Sequence, residues 1–276
     1  IVYSWRPFFG FRPDLGIDST LSMLTTVPYE FLNSYSLAAL PLFILVGQIA
    51  YQARFTTDIY ETARVMLARV PGGLALATLV GCGGFSAVSG SSLACASAMG
   101  KFAVPEMLRS NYHPGLACGT VAIGGTLGAM IPPSILFIVY GYFTEQSVAQ
   151  LFAAGTIPGL MTLAVYMIVV VLWAKLQPSA APRLSGELVQ GRSGAALVKS
   201  APILILFIIM IGGIYAGVFT PSEAGGVGAV LISVMAAVSR RLSRADFAAC
   251  LKDTASGFGR LHRLRCRKPA NLQVCA

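Results

Sequence analysis

Apolar residues in this chain fall in long unbroken runs rather than in alternation. The clearest extend from Leu151 to Trp173, Ala201 to Phe219 and Ala224 to Val238. A bilayer core takes about 20 helical residues to cross, and these runs approach or exceed that length. Lipid supplies no backbone hydrogen bonds, so such runs must be helices or strands of a closed barrel. Continuity, as opposed to period-two alternation, predicts helices. Leu37 to Ala53, with Pro41 and Gly47, predicts a further membrane helix. Phe55 to Val70 differs. Asp58, Glu61, Arg64 and Arg69 are set against Ile59, Ala63, Met66 and Leu67. That spacing predicts an amphipathic helix lying at the membrane interface, with the two sets on opposite faces.

Two other apolar stretches are punctuated. Leu74 to Gly100 carries no charge, but its middle reads Gly81-Cys-Gly-Gly-Phe-Ser-Ala-Val-Ser-Gly-Ser-Ser92. Glycine and serine at that density disfavour one continuous helix. Gly115 to Tyr142 is interrupted at Gly124-Gly125-Thr126 and at Ile131-Pro132-Pro133-Ser134. Proline removes a backbone donor and excludes the helical turn before it, which predicts a membrane helix broken near its middle. Thr220-Pro221-Ser222-Glu223 predicts a helix start, with Thr220 as N-cap, Pro221 at the first position and Glu223 closing a capping box.

Composition fits this picture. Of 276 residues, 55% are hydrophobic and only 11% charged. A soluble domain usually carries about 25% charged residues, so the outer surface here faces lipid. The net charge of +9 does not point to nucleic acid, because Lys and Arg sit between apolar runs as they do in cytoplasmic loops. The six cysteines have no paired metal spacing, and Cys82, Cys95 and Cys118 stand in apolar sequence as small hydrophobes. Charge also sets the topology. Arg54, Arg64 and Arg69 precede the glycine-serine segment, and Lys101 and Arg109 follow it. Lys175, Arg183, Arg192 and Lys199 lie between the runs at 151 and 201, and Arg240, Arg241, Arg244 and Lys252 follow the last run. The connections Thr144 to Gln150 and Thr220 to Ser222 have no Lys or Arg. All basic connections fall on one side only if Leu74 to Gly100 dips into the membrane and returns. The positive-inside rule therefore predicts a re-entrant helical hairpin opening to the cytoplasm, with Ser89, Gly90, Ser91 and Ser92 at its tip.

A re-entrant tip and a broken helix both expose free helix ends inside the membrane. Free N-termini present N–H groups and a positive dipole end to carboxylates. Free C-termini and unwound carbonyls suit Na⁺. The candidate binding residues are Ser89, Gly90, Ser91, Ser92, Gly124, Gly125, Thr126, Pro132, Pro133 and Ser134. Ser91, Ser92, Gly125 and Thr126 are the candidates for contacting Na⁺. The competing explanation is that small residues here only let helices pack closely. An enzyme finds little support: His113 and His262 both lie outside the apolar runs, and no HExxH or paired acidic motif is present. No cofactor is expected beyond a coupling ion. An ion channel would need a series of pore-lining polar residues, but it stays open as an alternative, as does another membrane scaffold protein.

The stretch Phe85-Ser-Ala-Val-Ser-Gly-Ser-Ser-Leu-Ala94 resembles the large permease subunit, DctM-like, of the tripartite ATP-independent periplasmic (TRAP) transporters. The resemblance continues through Pro105-Glu106-Met107, Gly119 to Gly128, Ile131-Pro-Pro-Ser-Ile135, Gln146-Ser147, Leu151-Phe-Ala-Ala-Gly155 and Pro158-Gly159-Leu160. Leu40 to Gly47 and Phe219 to Ala224 also fit, so it covers roughly residues 20 to 255. It implies an all-α polytopic protein of the bacterial inner membrane, built as the first half of an inverted-repeat elevator transporter. It further implies Na⁺-coupled uptake of a small organic anion, such as a C4-dicarboxylate or sugar acid. The implied partners are a small membrane subunit and a periplasmic substrate-binding protein. On this basis residues 1–36 form an extracytoplasmic region and partial first helix, and 37–73 a scaffold helix with the interfacial helix. Residues 74–142 form the transport region, 143–256 further membrane helices, and 257–276 an atypical basic tail. That tail, the missing initiator Met and the missing second repeat suggest a truncated permease, which leaves a non-functional fragment as a further alternative.

Overall fold

The computed structural model describes residues 37–182, 193–243 and 246–254, and within these only helices and their connections occur. Residues 1–36 and 257–276, with Arg183, Arg192 and Arg244, lie outside the described residues. The named helices are α1 (Ala39–Gln52), α2 (Phe55–Leu67), α3 (Gly73–Ser89), α4 (Ser92–Arg109), α5 (Pro114–Met130), α6 (Ile135–Phe143), α7 (Val148–Leu176), α8 (Ser193–Tyr215) and α9 (Pro221–Val238). Helical turns also occupy 246–254. Helix α7, the 198–215 part of α8, and α9 are each long and apolar enough to cross a bilayer. The pair α5 and α6, bent by 41° at its break, makes a fourth candidate span. The expected polytopic all-α protein is what the chain forms.

The capping box at Thr220 is present. Thr220 Oγ1 accepts from the Glu223 N–H at 3.3 Å, and Glu223 Oε2 accepts from the Thr220 N–H at 2.8 Å. The amphipathic helix is also present as α2, with one correction. Ile59 and Ala63 are buried as expected, but Met66 is 61% exposed. The pattern puts it on the buried face; α2 instead turns Tyr60 inward, against α3 and α4, and buries Thr62 as well. A second correction concerns Gly124-Gly125-Thr126. Helix α5 runs straight through these residues and breaks only after Met130. A helical glycine costs about 1 kcal/mol relative to alanine. Here the missing side chains let α5 approach its neighbours. A Cβ on Gly124 would sit 2.7 Å from Cys82 Sγ of α3, and one on Gly125 would sit 2.9 Å from Ala96 Cβ of α4.

Two buried apolar clusters organise the bundle. One joins α1, α8 and α9 with the ends of α6 and α7 that meet at Ile138, Val148 and Phe152. The other joins α3, α4 and α5 with the far end of α7, at Val170 and Ala174. The basic connections gather at one end. Tyr112, after α4, meets Leu74 at the start of α3. The His113 N–H donates to Ala180 O, beyond α7, at 2.9 Å. Arg241, beyond α9, pairs with Asp58 of α2.

Candidate functional site

Helix α3 ends at Ser89, and the chain reverses through two residues. Gly90 takes the left-handed conformation, with φ +60°, and its N–H donates to Ser86 O at 2.8 Å. Ser91 is extended and caps α4: its Oγ accepts from the Ala94 N–H at 3.3 Å. Its own N–H donates to Ser89 Oγ at 3.4 Å. Ser89 and Ser91 at the tip therefore use their hydroxyls to satisfy orphan donors at the start of α4.

The break between α5 and α6 is equally compact. After Met130, Ile131 is extended, Pro132–Pro133 is cis, and Ser134 is extended as the N-cap position of α6. Ser134 Oγ donates back across the break to Ala129 O at 2.9 Å. Tip and break are in direct contact. The Ile135 N–H, first of α6, donates to the Gly90 carbonyl at 3.1 Å. A Cβ on Gly128 would stand 2.7 Å from Ser92 N, and one on Gly90 would overlap the Pro133 carbonyl oxygen.

The structure thus brings Ser89, Gly90, Ser91, Ser92, Gly125, Pro132, Pro133 and Ser134 to one locus. Gly124 lies beside it, turned toward Cys82. Thr126 does not join the tip. It is exposed, and its hydroxyl donates to Ile123 O at 2.6 Å and lies 3.2 Å from Tyr166 Oη of α7. Ser89 and Ser134 are buried, whereas Ser91 and Ser92 are half-buried. Four glycines that sequence reasoning did not single out complete the seat. Gly47 of α1 accepts the tip, since a Cβ there would sit 2.8 Å from Ser89 Cα. Gly128 lies under Ser92, and Gly155 and Gly159 of α7 let that helix close on the Met130 carbonyl, 3.2 and 3.3 Å from their Cβ positions. The i, i+4 spacings of Gly124 with Gly128 and of Gly155 with Gly159 were the available signal.

Tyr112 was also missed. Its hydroxyl accepts from the Leu74 N–H at 3.3 Å, deep in the second cluster. It supplies the partner that the first turn of α3 lacks. Burial raises the Tyr112 pKa, which keeps the phenol neutral.

Electrostatically, the locus is made of helix ends. The C-termini of α3 and α5 and the N-termini of α4 and α6 meet there. Dipole ends of both signs therefore face one small region, and Leu74 to Gly100 and Gly115 to Tyr142 contain no charged side chain. Among the described residues, no group of three His, Cys, Asp or Glu stands together as a metal site would need.

Comparison with known proteins fits this construction. Residues 14–264 match the family model described as tripartite ATP-independent periplasmic transporter, DctM component. The C4-dicarboxylate TRAP transporter large permease protein DctM of Pseudomonas aeruginosa is 36% identical over 233 residues, 80% of this chain and 54% of that protein. The ectoine TRAP transporter large permease protein TeaC of Halomonas elongata is 34% identical, over 79% of this chain and 51% of its own length. The isethionate TRAP transporter permease protein DctMQ of Oleidesulfovibrio alaskensis is 31% identical, over 85% of this chain and 37% of its own. The chain spans about half the length of the curated relatives it matches. With the family model covering most of its residues, this multi-pass membrane protein belongs to the DctM family of TRAP transporter large permeases.

Proposed function

We propose that this chain contributes half of the translocation site of a secondary carrier for small organic anions in the bacterial inner membrane. The observation that carries the reading is the Ile135 N–H to Gly90 carbonyl contact, which seats a helical hairpin tip on a helix break. Helix α6 runs 9 residues past that contact, so the tip stops about 13 Å short of its far end. The tip also meets α1 at Gly47, inside that helix rather than at its end. A hairpin that stops at this depth is re-entrant, and backbone at such depth persists where protein or a cavity surrounds it.

The N-termini of α4 and α6 offer N–H groups and positive dipole ends to a carboxylate. The C-terminal carbonyls of α3 and α5, with the Ser91 and Ser92 hydroxyls, offer oxygen ligands to Na⁺. Gly125, Pro132, Pro133 and Ser134 shape the backbone around them. Relatives are named for C4-dicarboxylate, 2,3-diketo-L-gulonate, isethionate and ectoine. Three of these are organic anions, which supports a carboxylate or similar anion as substrate. The isethionate relative carries the joint name DctMQ. That name, with the family, supports a small membrane subunit and a periplasmic binding protein as partners. The division into two apolar clusters supports an elevator, with α3, α4 and α5 moving against α1, α8 and α9.

The test is uptake of labelled carboxylates by proteoliposomes holding the complete carrier and its partners, with and without an inward Na⁺ gradient. Saturable uptake that needs Na⁺, and that Ser91→Leu impairs without loss of protein, is the expected result. Na⁺ flux without any substrate would make it a channel instead.

A further inference from the structure

Helix α2 straddles the two apolar clusters. Phe55 and Ile59 from its first half belong to the cluster of α1, α8 and α9, whereas Tyr60 and Ala63 belong to the cluster of α3, α4 and α5. Left-handed residues, Arg54 at φ 59° and Gly72 at φ 73°, flank it in the connections on both sides. Each half also carries an ion pair. Asp58 pairs with Arg241 beyond α9, and the same guanidinium stacks over the Phe55 ring at 5.3 Å from its centroid. Arg64 pairs with Glu106 of α4 at 2.8 Å.

The two pairs differ in what each arginine keeps if its partner leaves. Arg241 makes both contacts with α2 itself, so separation there loses a carboxylate and a ring together. Arg64 has a second carboxylate, Glu61, one turn away on its own helix at 3.5 Å. If α4 withdraws, Arg64 is not stranded: it gives up Glu106 and keeps Glu61. The exchange leaves no unpaired charge on the arginine side. The side chains of Arg64 and Glu106 are also partly open to water, 24% and 26% exposed, so water can hydrate the charges as they separate.

We propose that Arg64 is an exchange contact between an anchored α2 and a mobile hairpin. It holds Glu106 closely and Glu61 more loosely in the conformation seen here, and Glu61 alone when α4 slides past. Asp58, Arg241 and Phe55 keep α2 with the α9 side throughout. Arg64 and Glu61 are positioning residues that set the ease of this movement, remote from the tip. The inference rests on the elevator reading above.

The test uses the complete carrier with its partners, with the natural cysteines replaced. The pairs Arg64→Cys/Glu106→Cys and Asp58→Cys/Arg241→Cys are bridged separately with a short bis-methanethiosulfonate reagent that dithiothreitol releases. Bridging the first pair should stop uptake, and release should restore it. Bridging the second should leave uptake running. Uptake that continues with the first pair bridged overturns the exchange, and uptake that stops with the second bridged overturns the anchor. Uptake absent in the cysteine-free parent defeats the transport reading and the exchange with it. Glu61→Gln supplies an independent measure, since Glu61 is half exposed and lies outside both clusters. It should slow maximal uptake about two- to five-fold with KM unchanged, the range that an exposed pair supports. An unchanged maximal rate would remove Glu61 from the exchange.

Discussion

Gly90 is held by two independent demands: a left-handed backbone and a carbonyl neighbour where its side chain would be. Gly90→Ala therefore has to lift the tip off Pro133 as well as strain φ. It should lower stability by about 2–4 kcal/mol, because a strained conformer and an overpacked contact, each costing about 1–3 kcal/mol, partly add. Thermal denaturation in detergent measures this, and Gly100→Ala, whose Cβ would meet nothing within 4 Å, is the matched control. Tyr112 gives a second expectation. Tyr112→Phe leaves the buried Leu74 N–H without its acceptor, at a cost of about 1–3 kcal/mol. The same phenol gives a pH dependence. Its pKa is raised in the folded protein by burial, so the folded state holds that proton more tightly than the unfolded one. Its contribution is fully present below the ordinary tyrosine value of about 10 and is lost as pH rises beyond it. Melting curves should show a shallower alkaline decline in Tyr112→Phe than in the parent. An identical decline would remove Tyr112 as a source.

At the level of elements, the break at Pro132 and Pro133 keeps α5 and α6 apart by 41°. A double change, Pro132→Ala with Pro133→Ala, restores donors and lets the two helices join. Straightening would pull the Ile135 N–H from the Gly90 carbonyl, so uptake should fall more than expression does. Topology is checked by single-cysteine labelling with an impermeant reagent. The replacement Gln146→Cys should react from outside and Ser110→Cys should not, because α3 and α4 return to the side from which they came. Reaction of Ser110→Cys from outside would mean that the glycine-serine segment crosses completely. The sequence disclosed the elements whose cause is local. Thr220 with Glu223 encodes a cap, two prolines encode a break, and Gly-Ser-Ser between apolar flanks encodes a reversal. It misled where the cause is a neighbour remote in the sequence. Gly124 and Gly125 look like helix breakers until Cys82 and Ala96 are seen against them. Met66 fits the apolar face of α2 by periodicity, yet among the described residues no helix covers it. That the tip lands on the break, with Gly47 and Gly128 against the tip and Gly155 and Gly159 against the Met130 carbonyl, follows only from the packing.

Over the whole molecule, the exposed apolar residues form the surface expected to meet lipid. Helix α7 alone exposes Ile157, Leu160, Met161, Val165, Ile168, Val169 and Leu172. Trp173 lies near the end of that helix, with Nε1 donating to Gln177 Oε1 at 3.2 Å. Half-exposed and tethered to a polar neighbour, it fits the membrane–water boundary. Trp5 is the only other tryptophan, so Trp5→Phe isolates its signal. In liposomes, lipids brominated near the headgroup should quench Trp173 more strongly than those brominated near the chain end. Equal quenching would place α7 in a different register across the bilayer.

The contact between Gly90 and Ile135 also dictates an order of biogenesis. The hairpin leaves the ribosome about 45 residues before the segment that receives its tip, and until then the Gly90 carbonyl has no Ile135 N–H to meet. The insertion machinery must therefore hold α3 and α4 in a wet or shielded place while α5 and α6 are made. In nascent chains arrested with α4 just clear of the ribosome, the replacement Ser89→Cys should react with a water-soluble thiol reagent, whereas in chains with α6 also clear it should be protected. Protection already at the first stage would mean that the hairpin enters lipid without its receiver.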